Sequence, residues 1–495
     1  MAITIKSQPY KYIGPAGQDW NWSFTSTNYT KDNFRFVVDL YMFESTIAST
    51  QTVRLKISPN LFNIGNVNLR TYIEQQISSD NLASLNSTWA SYYKNQEINY
   101  SPQHETLPIH LIDEFATNSN SFRKFTVKFG EQYSATANDP VVIYPSLTID
   151  GGYGVFNGVV PYGGQKETSV LGYTGGVELD NTAQPRSLYG GPYNMRNSYS
   201  SLLTNAPTTQ YVRSGDYMTV GMLSSLVDEY EAALWTTAHF ALDGFSSGAT
   251  SWSTGTTTTG TGTTAGYDGS SDTSLQHSRK HLQFLGCGPG NLLNNTVFNS
   301  VWAGSTLYTL VMKDAAGVAR SKTYTFKKME DDCKGYETIR LTWLNRHGCW
   351  DYYNFTKKSY RELDIKREYT HGNKNNYLAY SKKFMHGRVN STFSVNAKET
   401  IKANSDWVND ETAIWLEELY TSPEVYMLGS WTTYDPTGWS YQPAPDVGFV
   451  TPVQVVSRKY ERYTSANDKV AQYEIEIEKD SMVNVQGPQG AFLGY

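Results

Sequence analysis

The sequence is short of charged residues. Asp, Glu, Lys and Arg make up 18% of its 495 residues, compared with about 25% in typical globular proteins. The formal net charge is −6, so the chain lacks the basic excess that a nucleic-acid-binding domain carries. The sequence therefore predicts no nucleic-acid partner.

Cysteines are scarce, and long apolar runs and a secretory signal are missing. The three cysteines, Cys287, Cys333 and Cys349, are an odd number spread thinly over the chain, which argues against a disulfide framework. No run of 18 apolar residues occurs, which argues against a membrane span. Residues Met1–Lys6 do not open the apolar core of a signal peptide. We expect a soluble protein that is made in a cytoplasm, is not exported by the usual route and has no membrane partner.

The sequence also lacks the short motifs of common catalytic chemistry. It contains neither the Gly-x-Ser-x-Gly elbow of hydrolases nor the His-Glu-x-x-His pattern of zinc proteases. Residues Gly286–Gly290 are rich in glycine but lack the Lys and Ser/Thr of a phosphate-binding loop, and they are typical of a turn between strands. Carboxylate pairs such as Glu417 and Glu418 leave open a glycosidase, whose two carboxylates must converge in a cleft.

Two groups of potential metal ligands each lack part of the pattern of a metal site. His277 and His281 stand four residues apart, but no Glu follows His277 as it does in zinc proteases. Cys333, His347 and Cys349 could supply three zinc ligands, but the paired-cysteine spacing of structural zinc sites is absent. We predict no catalytic residues, no metal site and no cofactor, and therefore a protein that is not an enzyme.

What the sequence does have is alternation of apolar and polar residues. The segments Thr52–Ser58, Phe125–Phe129 and Ala471–Lys479 alternate with period two, which is typical of strands with one face in a core. The chain also has 37 Tyr and 12 Trp. Tyr side chains suit surfaces between subunits, although they also fill the interior of strands, and the two roles are compatible.

Helical spacing is confined to short segments. Asn68–Ser78 and Asn409–Tyr420 carry apolar residues at helical spacing, with Asn68 and with Asn409 or Asp410 as possible N-caps. Leu226–Leu242 is ambiguous; we favour a strand that runs into a turn at Asp243–Gly244, with a helix as the alternative. Ser246–Ser271 is a Ser/Thr/Gly tract that predicts a long mobile loop.

These patterns predict a mainly β protein, a multi-domain β-sandwich of the Ig-like or fibronectin-like kind with two short helices. We assign an N-terminal sandwich with one helix to residues 1–140 and a Gly/Tyr-rich connector or arm to 141–204. A middle β domain with the Thr/Ser/Gly-rich loop at 246–271 covers 205–330, and a C-terminal β domain with one helix covers 331–495.

The segment Leu341–Phe355 is unusually aromatic. It predicts two strands about a turn at His347–Gly348. The aromatic residues of its second strand fall on both faces of that strand, so a second layer has to cover one of the faces. That layer is either part of an intramolecular core, a neighbouring domain or a neighbouring subunit.

Several segments, taken in order, resemble structural proteins of tailed bacteriophages from marine and gut bacteria. The resemblance rests on strand and turn patterns in Phe34–Tyr41, Val53–Asn60, Phe125–Tyr133, Asn157–Pro161, Leu203–Pro207, Cys333–Phe355 and Trp415–Tyr426.

The resemblance implies a virion component in the tail, neck or baseplate, located in the virion. It implies a homo-oligomer whose partners are copies of itself and other virion proteins, and it supplies no catalytic residues. A receptor- or glycan-binding tail protein (an adhesin) is the alternative, because Trp- and Tyr-rich β domains also bind sugars. A carbohydrate-active enzyme is the third possibility.

Overall fold

The chain folds into two compact units, each built from β-sheets. The computed structural model describes residues 3–9, 13–43, 52–78, 122–159, 201–216, 218–223, 238–246, 251–259, 282–292, 296–313, 319, 321–329, 336–371, 390–428, 450–461 and 470–479. The first unit comprises Met1–Asp331, Trp343–Tyr352 and Ser430–Phe449, and the second comprises Asp332–Thr342, Tyr353–Gly429 and Val450–Tyr495. The mainly β, multi-sheet class predicted from the sequence is confirmed.

The N-terminal part of the first unit is a sandwich of two sheets. Its elements are β1 (Ile3–Ser7), β2 (Ile13–Pro15), β3 (Asn21–Ser26), β4 (Arg35–Phe43), β5 (Val53–Ile57), β6 (Ile64–Asn68), α1 (Arg70–Glu74), β7 (Phe122–Tyr133) and β8 (Val142–Phe156). One sheet has the order β1-β3-β6, and the other has the order β2-β8-β7-β4-β5. All described neighbours are antiparallel except β2 and β8, which run parallel.

Period-two alternation builds the core of this sandwich. On β3, Trp22 and Phe24 point inwards and are fully buried. From the opposite sheet, Phe36 and Phe129 meet Phe24 with ring centroids 4.9 Å away in both cases. The short helix α1 contributes Ile73, which is also buried. Apolar residues two positions apart therefore suffice to close the space between the sheets.

The first sheet assembly extends beyond the boundary that we assigned at residue 140. Strand β8 falls within the predicted connector 141–204, yet it pairs with β7 from Tyr133↔Val142 to Phe122↔Phe156. Two register shifts interrupt this ladder, and bulges of this kind disturb the alternation that would reveal a strand in the sequence. Residues 160–200 of the predicted connector lie outside the described residues.

The rest of the first unit holds a second five-stranded sheet. Its elements are β9 (Thr209–Val212), β10 (Thr219–Leu223), β11 (Ala238–Ser246), β12 (Ser251–Thr259), β13 (Leu282–Gly286), α2 (Pro289–Leu292), α3 (Thr296–Trp302), β14 (Ser305–Lys313) and β15 (Tyr324–Lys328). The sheet order is β12-β11-β14-β15-β9, and β10 and β13 form a separate pair. The Tyr308 ring stacks on Phe326 at 5.0 Å and packs edge-on against Trp302.

Three predictions for this region are wrong. The tract Ser246–Ser271 is not wholly a loop, because Ser251–Thr259 forms β12 and pairs with β11; β-branched Thr residues favour strands once a partner strand is present. Asp243–Gly244 lies inside β11 and not in a turn. The glycine-rich Gly286–Gly290 leads from β13 into helix α2 instead of joining two strands. Residues 224–237 and 260–281 lie outside the described residues.

The second unit carries a seven-stranded sheet and the helix predicted near its end. Its elements are β16 (Ile339–Leu344), β17 (Trp350–Phe355), β18 (Tyr360–His371), β19 (Asn390–Asn404), β20 (Val408–Asn409), α4 (Asp410–Thr421), β21 (Val425–Leu428), β22 (Val450–Val455), β23 (Val470–Ala471) and β24 (Glu474–Lys479). The order is β17-β16-β21-β22-β24-β19-β18, and the turn ends of β16 and β17 belong to the first unit.

Both predicted helices exist, with different bounds. Asn409 caps α4 as expected, because its side-chain oxygen accepts a hydrogen bond from Thr412 N at 3.0 Å. Helix α1 is shorter than predicted and begins at Arg70, yet the Asn68 side chain still accepts a hydrogen bond from Arg70 N. In the described part of the chain, no helix is long and apolar enough to cross a bilayer.

Candidate interaction surface

The strand register brings several loops of the N-terminal sandwich to one end. Ile57 of β5 pairs with Phe36 of β4, Phe36 pairs with Glu131 of β7, and Glu131 pairs with Tyr144 of β8. These four residues form a row across the sheet, about 14 Å wide at the usual strand spacing. The loops that enter or leave the sheet beyond this row must therefore lie side by side.

Exposed large apolar side chains are concentrated beyond this row, and we call this group the apolar end. It consists of Tyr29, Leu61, Phe62, Val141, Val142, Ile143 and Tyr144. Leu61 is 98% exposed and Phe62 is 80% exposed, while the other five are 37–48% exposed. Single exposed apolar residues are ordinary on a protein surface, whereas a group of seven at one end of a domain is a candidate interaction site.

The loop that carries Leu61 and Phe62 is held in one conformation. The Asn60 side-chain oxygen accepts hydrogen bonds from Phe62 N at 2.9 Å and from Ile64 N at 3.0 Å. Asn63 N donates to Asn60 O, and Asn63 adopts the left-handed conformation with φ of 59°, which Asn tolerates better than most residues. The two apolar side chains thus project from an ordered turn.

A buried carboxylate fixes the start of the loop that carries Tyr29. Glu131 is buried, and its two oxygens accept hydrogen bonds from Ser26 Oγ at 2.6 Å and from Asn28 Nδ2 at 2.7 Å. Ser26 Oγ in turn accepts a bond from Asn28 N. A buried charge that is hydrogen-bonded on both oxygens holds its partners firmly, so this loop is anchored to β7.

A second set of bonds ties the same loop to the turn between β7 and β8. Ser134 N donates to Asp32 O at 2.9 Å, and Asn33 Nδ2 donates to Ser134 Oγ at 2.9 Å. Asn33 also adopts the left-handed conformation, with φ of 55°. The loop that carries Tyr29 and the turn between β7 and β8 are therefore joined to each other.

Among the described residues, the start of β8 at the apolar end is paired on one side only. At Val142–Tyr144, β8 pairs with β7 on one side, whereas β2 reaches β8 only at Gly154–Phe156. Tyr144 stacks on Tyr133 of β7 with ring centroids 4.2 Å apart. The four residues from Val141 to Tyr144 carry no charge and stand between Pro140 and Pro145.

By contrast, the edge strand of the seven-stranded sheet of the second unit carries many charged side chains. Strand β18 pairs with β19 over its whole length and is the last strand of its sheet. Residues Arg361–Tyr369 are all exposed, and charged side chains alternate with Leu363 and Ile365. Charges along an edge strand oppose pairing with another chain, so this edge is protected by its own sequence.

The hairpin turn between β16 and β17 lies where the sequence predicted it and is buried. The Asn345 side-chain oxygen accepts bonds from His347 N and Cys349 N, and its amide donates to Leu203 O at 3.0 Å. Nearby, Thr204 Oγ1 donates to Asp351 Oδ1 at 2.7 Å. These bonds pair backbone and side-chain groups of a turn that is closed off from water, which is a structural role.

The two described members of the Cys333, His347 and Cys349 group are both buried. Burial raises the pKa of the Cys349 thiol well above its ordinary value, so the sulfur carries its proton. Burial, and then the charge of Arg346, lowers the pKa of His347 to about 3. Cys333, His277 and His281 lie outside the described residues, and within the described ranges no cluster of three or more His, Cys, Asp or Glu could hold a metal ion.

The buried His347 makes stability depend on pH. Its pKa is about 3 in the folded chain and near 6.5 when unfolded. Between pH 3 and pH 6.5, His347 binds a proton in the unfolded state but not in the folded state. The contribution of neutral His347 to the free energy of unfolding is therefore complete above pH 6.5 and decreases as the pH falls. We expect the free energy of unfolding to drop by about 1.4 kcal/mol per pH unit below pH 6.

Urea unfolding at pH 7.5, 6 and 5 measures this effect, with His347→Gln as the comparison. The variant is less stable at pH 7.5 but lacks this component of the acid dependence. If the free energy of unfolding changed with pH in the same way in both proteins, His347 would not be the source of the acid dependence.

The aromatic residues of the hairpin are already covered within one chain. Trp343, Trp350, Tyr352 and Phe355 are buried, with exposures between 0% and 6%, and Tyr353 is half-buried. Of the layers considered for this segment, a neighbouring subunit is therefore not required here.

The carboxylate pair Glu417 and Glu418 lies on helix α4, where adjacent residues do not face each other.

The apolar end is the feature that the sequence did not reveal. Two signals were present: Leu61-Phe62 stands between Asn60 and Asn63 in a turn, where apolar residues are unusual, and Val141–Tyr144 is a fully apolar run in the segment assigned to the connector.

No protein-family model matches the chain, and no curated protein matches it.

Proposed function

We propose that the protein is a non-enzymatic structural subunit of a tailed-phage virion, in the tail, neck or baseplate, that assembles through protein–protein contacts. The observation that carries this proposal is the apolar end, where seven large apolar side chains lie exposed on two ordered loops and at the start of β8. Such a surface is costly to leave in water and marks a contact with another protein.

The chemistry of the apolar end favours a protein partner over a sugar. Sugar-binding surfaces present flat aromatic rings with polar groups beside them, because each sugar ring has an apolar face and a rim of hydroxyls. Four of the seven side chains at the apolar end are aliphatic, namely Leu61, Val141, Val142 and Ile143. Aliphatic side chains bind by close packing against apolar side chains, which supports the assembly role over the adhesin alternative.

The resemblance to structural phage proteins supports a virion as the site of this contact. The buried hairpin turn at Asn345–Cys349 is fixed by hydrogen bonds within the first unit. Rigid subunits retain their contact surfaces in register, which an assembly of many copies requires.

The test is to find the chain in purified particles of the phage that encodes it. We expect mass spectrometry to detect it in a fixed number of copies per particle, and a particle map to place it in the tail, neck or baseplate. Its absence from purified particles would overturn the proposal. Release of reducing ends from a polysaccharide by the purified chain, abolished in a carboxylate variant, would establish the enzyme alternative instead.

A further inference from the structure

We propose that the apolar end is the surface through which two copies of this chain associate. The inference rests on the proposed function only for the premise that the chain works among copies of itself. Three features of the first unit support a second copy as the partner: the exposed area of the apolar end, the charges around it and the unprotected strand edge.

The area of the apolar end suits a contact between two identical patches. Its seven side chains are on average more than half exposed. Because a large aromatic side chain buries about 150–250 Å², covering this end removes roughly 600 Å² per copy from water. Two copies meeting through the same patch would bury roughly 1,200 Å², which is within the range of specific protein interfaces.

The charges around the apolar end favour a protein surface of the same kind. The exposed charged residues on its loops and flanking strands are Lys31, Asp32, Arg35, Lys56 and Asp139. Both signs are present, so a two-fold contact can set cations of one copy against carboxylates of the other. A nucleic acid or an acidic membrane would instead select a rim of positive charge.

The strand edge at Val142–Tyr144 lacks the protection found on β18. An edge strand is normally guarded by charges that would be buried on pairing, as Arg361, Asp364 and Lys366 guard β18. No charge stands between Val141 and Tyr144. Two copies can therefore bring these edges together without placing like charges next to each other. The flanking Pro140 and Pro145 restrict the contact to a short segment.

The order of the loops makes this contact favourable in free energy. Binding normally costs conformational entropy, because loops and side chains are immobilised in the interface. The Asn60 turn and the Glu131 cluster already fix the backbone around Leu61, Phe62 and Tyr29. Ordered apolar residues at the centre of a patch are those that carry most of the binding energy.

Sedimentation of the full chain over about 1–100 μM tests the proposal, since this range brackets moderate protein affinities. We expect wild-type protein to dimerise and the double variant Leu61→Ser/Phe62→Ser to raise the dissociation constant about 30-fold or more. Leu363→Ser/Tyr369→Ser, which changes two exposed residues of β18, is the matched control and should leave the dimer unchanged. Because Leu61 and Phe62 are exposed in the single chain, the melting temperature of dilute variant should equal that of dilute wild type.

A charge on the strand edge provides a second measurement. Val142→Lys puts a cation on an exposed position and brings two like charges together in a two-fold contact, so we expect weaker dimerisation that high salt partly restores. A wild-type chain that is monomeric at 100 μM overturns the inference, as does a dimer that only the β18 control disrupts. If the chain is found in particles but is monomeric in solution, the dimer contact is refuted and the proposed function stands. If the chain dimerises through the apolar end but is absent from particles, the proposed function is refuted and the dimer contact stands.

Discussion

Replacement of Phe125 by alanine is expected to lower the free energy of unfolding by about 3–5 kcal/mol. Phe125 is fully buried on β7 at the centre of the N-terminal core. Its ring stacks on Tyr153 at 5.0 Å and meets the edges of Trp20 and Trp22 at 5.2 and 6.2 Å. Truncation leaves a cavity between rigid strands that cannot collapse, so both the transfer free energy and the packing are lost.

The same chemical change at Phe62 is the matched control. Phe62 is 80% exposed, so Phe62→Ala should change the stability by less than about 0.5 kcal/mol. Urea or thermal unfolding has to be followed at submicromolar concentration, because association through the apolar end would stabilise the wild-type chain at higher concentration. Equal losses at the two positions would mean that Phe125 does not lie in a packed core.

Replacement of Gly348 by alanine should destabilise the turn between β16 and β17 by several kcal/mol. Gly348 has φ of 74°, a conformation that costs an L-residue roughly 1–2 kcal/mol. An added Cβ would also lie 1.7 Å from Asn157 O and 2.5 Å from Asn157 C. These are backbone atoms, so the segment has to move, and the bond from Val159 N to Arg346 O would be strained with it.

Gly304→Ala is the control for this substitution. A Cβ at Gly304 meets only Val301 O, at 3.9 Å, so we expect no loss of stability and a slight gain from the reduced freedom of the unfolded chain. The melting temperatures of the two variants measure the contrast. A Gly348→Ala protein that melts with the wild type would show that the turn is not held against Asn157.

The sequence predicted a substantial part of the local structure. Alternation over Thr52–Ser58 and Phe125–Phe129 indicated strands that the structure contains as β5 and within β7. The helix after Asn409 and its cap could be predicted because capping depends only on residues three positions apart. Such signals are local, so one sequence is enough to read them.

Pairing partners were not visible in the sequence. Thr residues near 251–259 are compatible with a loop or a strand, and only pairing with β11 makes them β12. Strand β8 joins the N-terminal sheet through a ladder with two register shifts, which interrupts its pattern. Both cases depend on a neighbouring strand that supplies hydrogen bonds and a covered face.

The sequence by itself determined that the chain is β-rich, where several of its strands and the helix capped by Asn409 begin, and where the turn at His347–Gly348 lies. Only the tertiary structure decided which apolar residues are buried. Phe125 and Phe62 are the same residue type, but one lies between two sheets and the other at the tip of a turn. Alternation shows which side chains share a face of a strand, whereas burial depends on whether another layer covers that face, and that layer comes from residues distant in the chain.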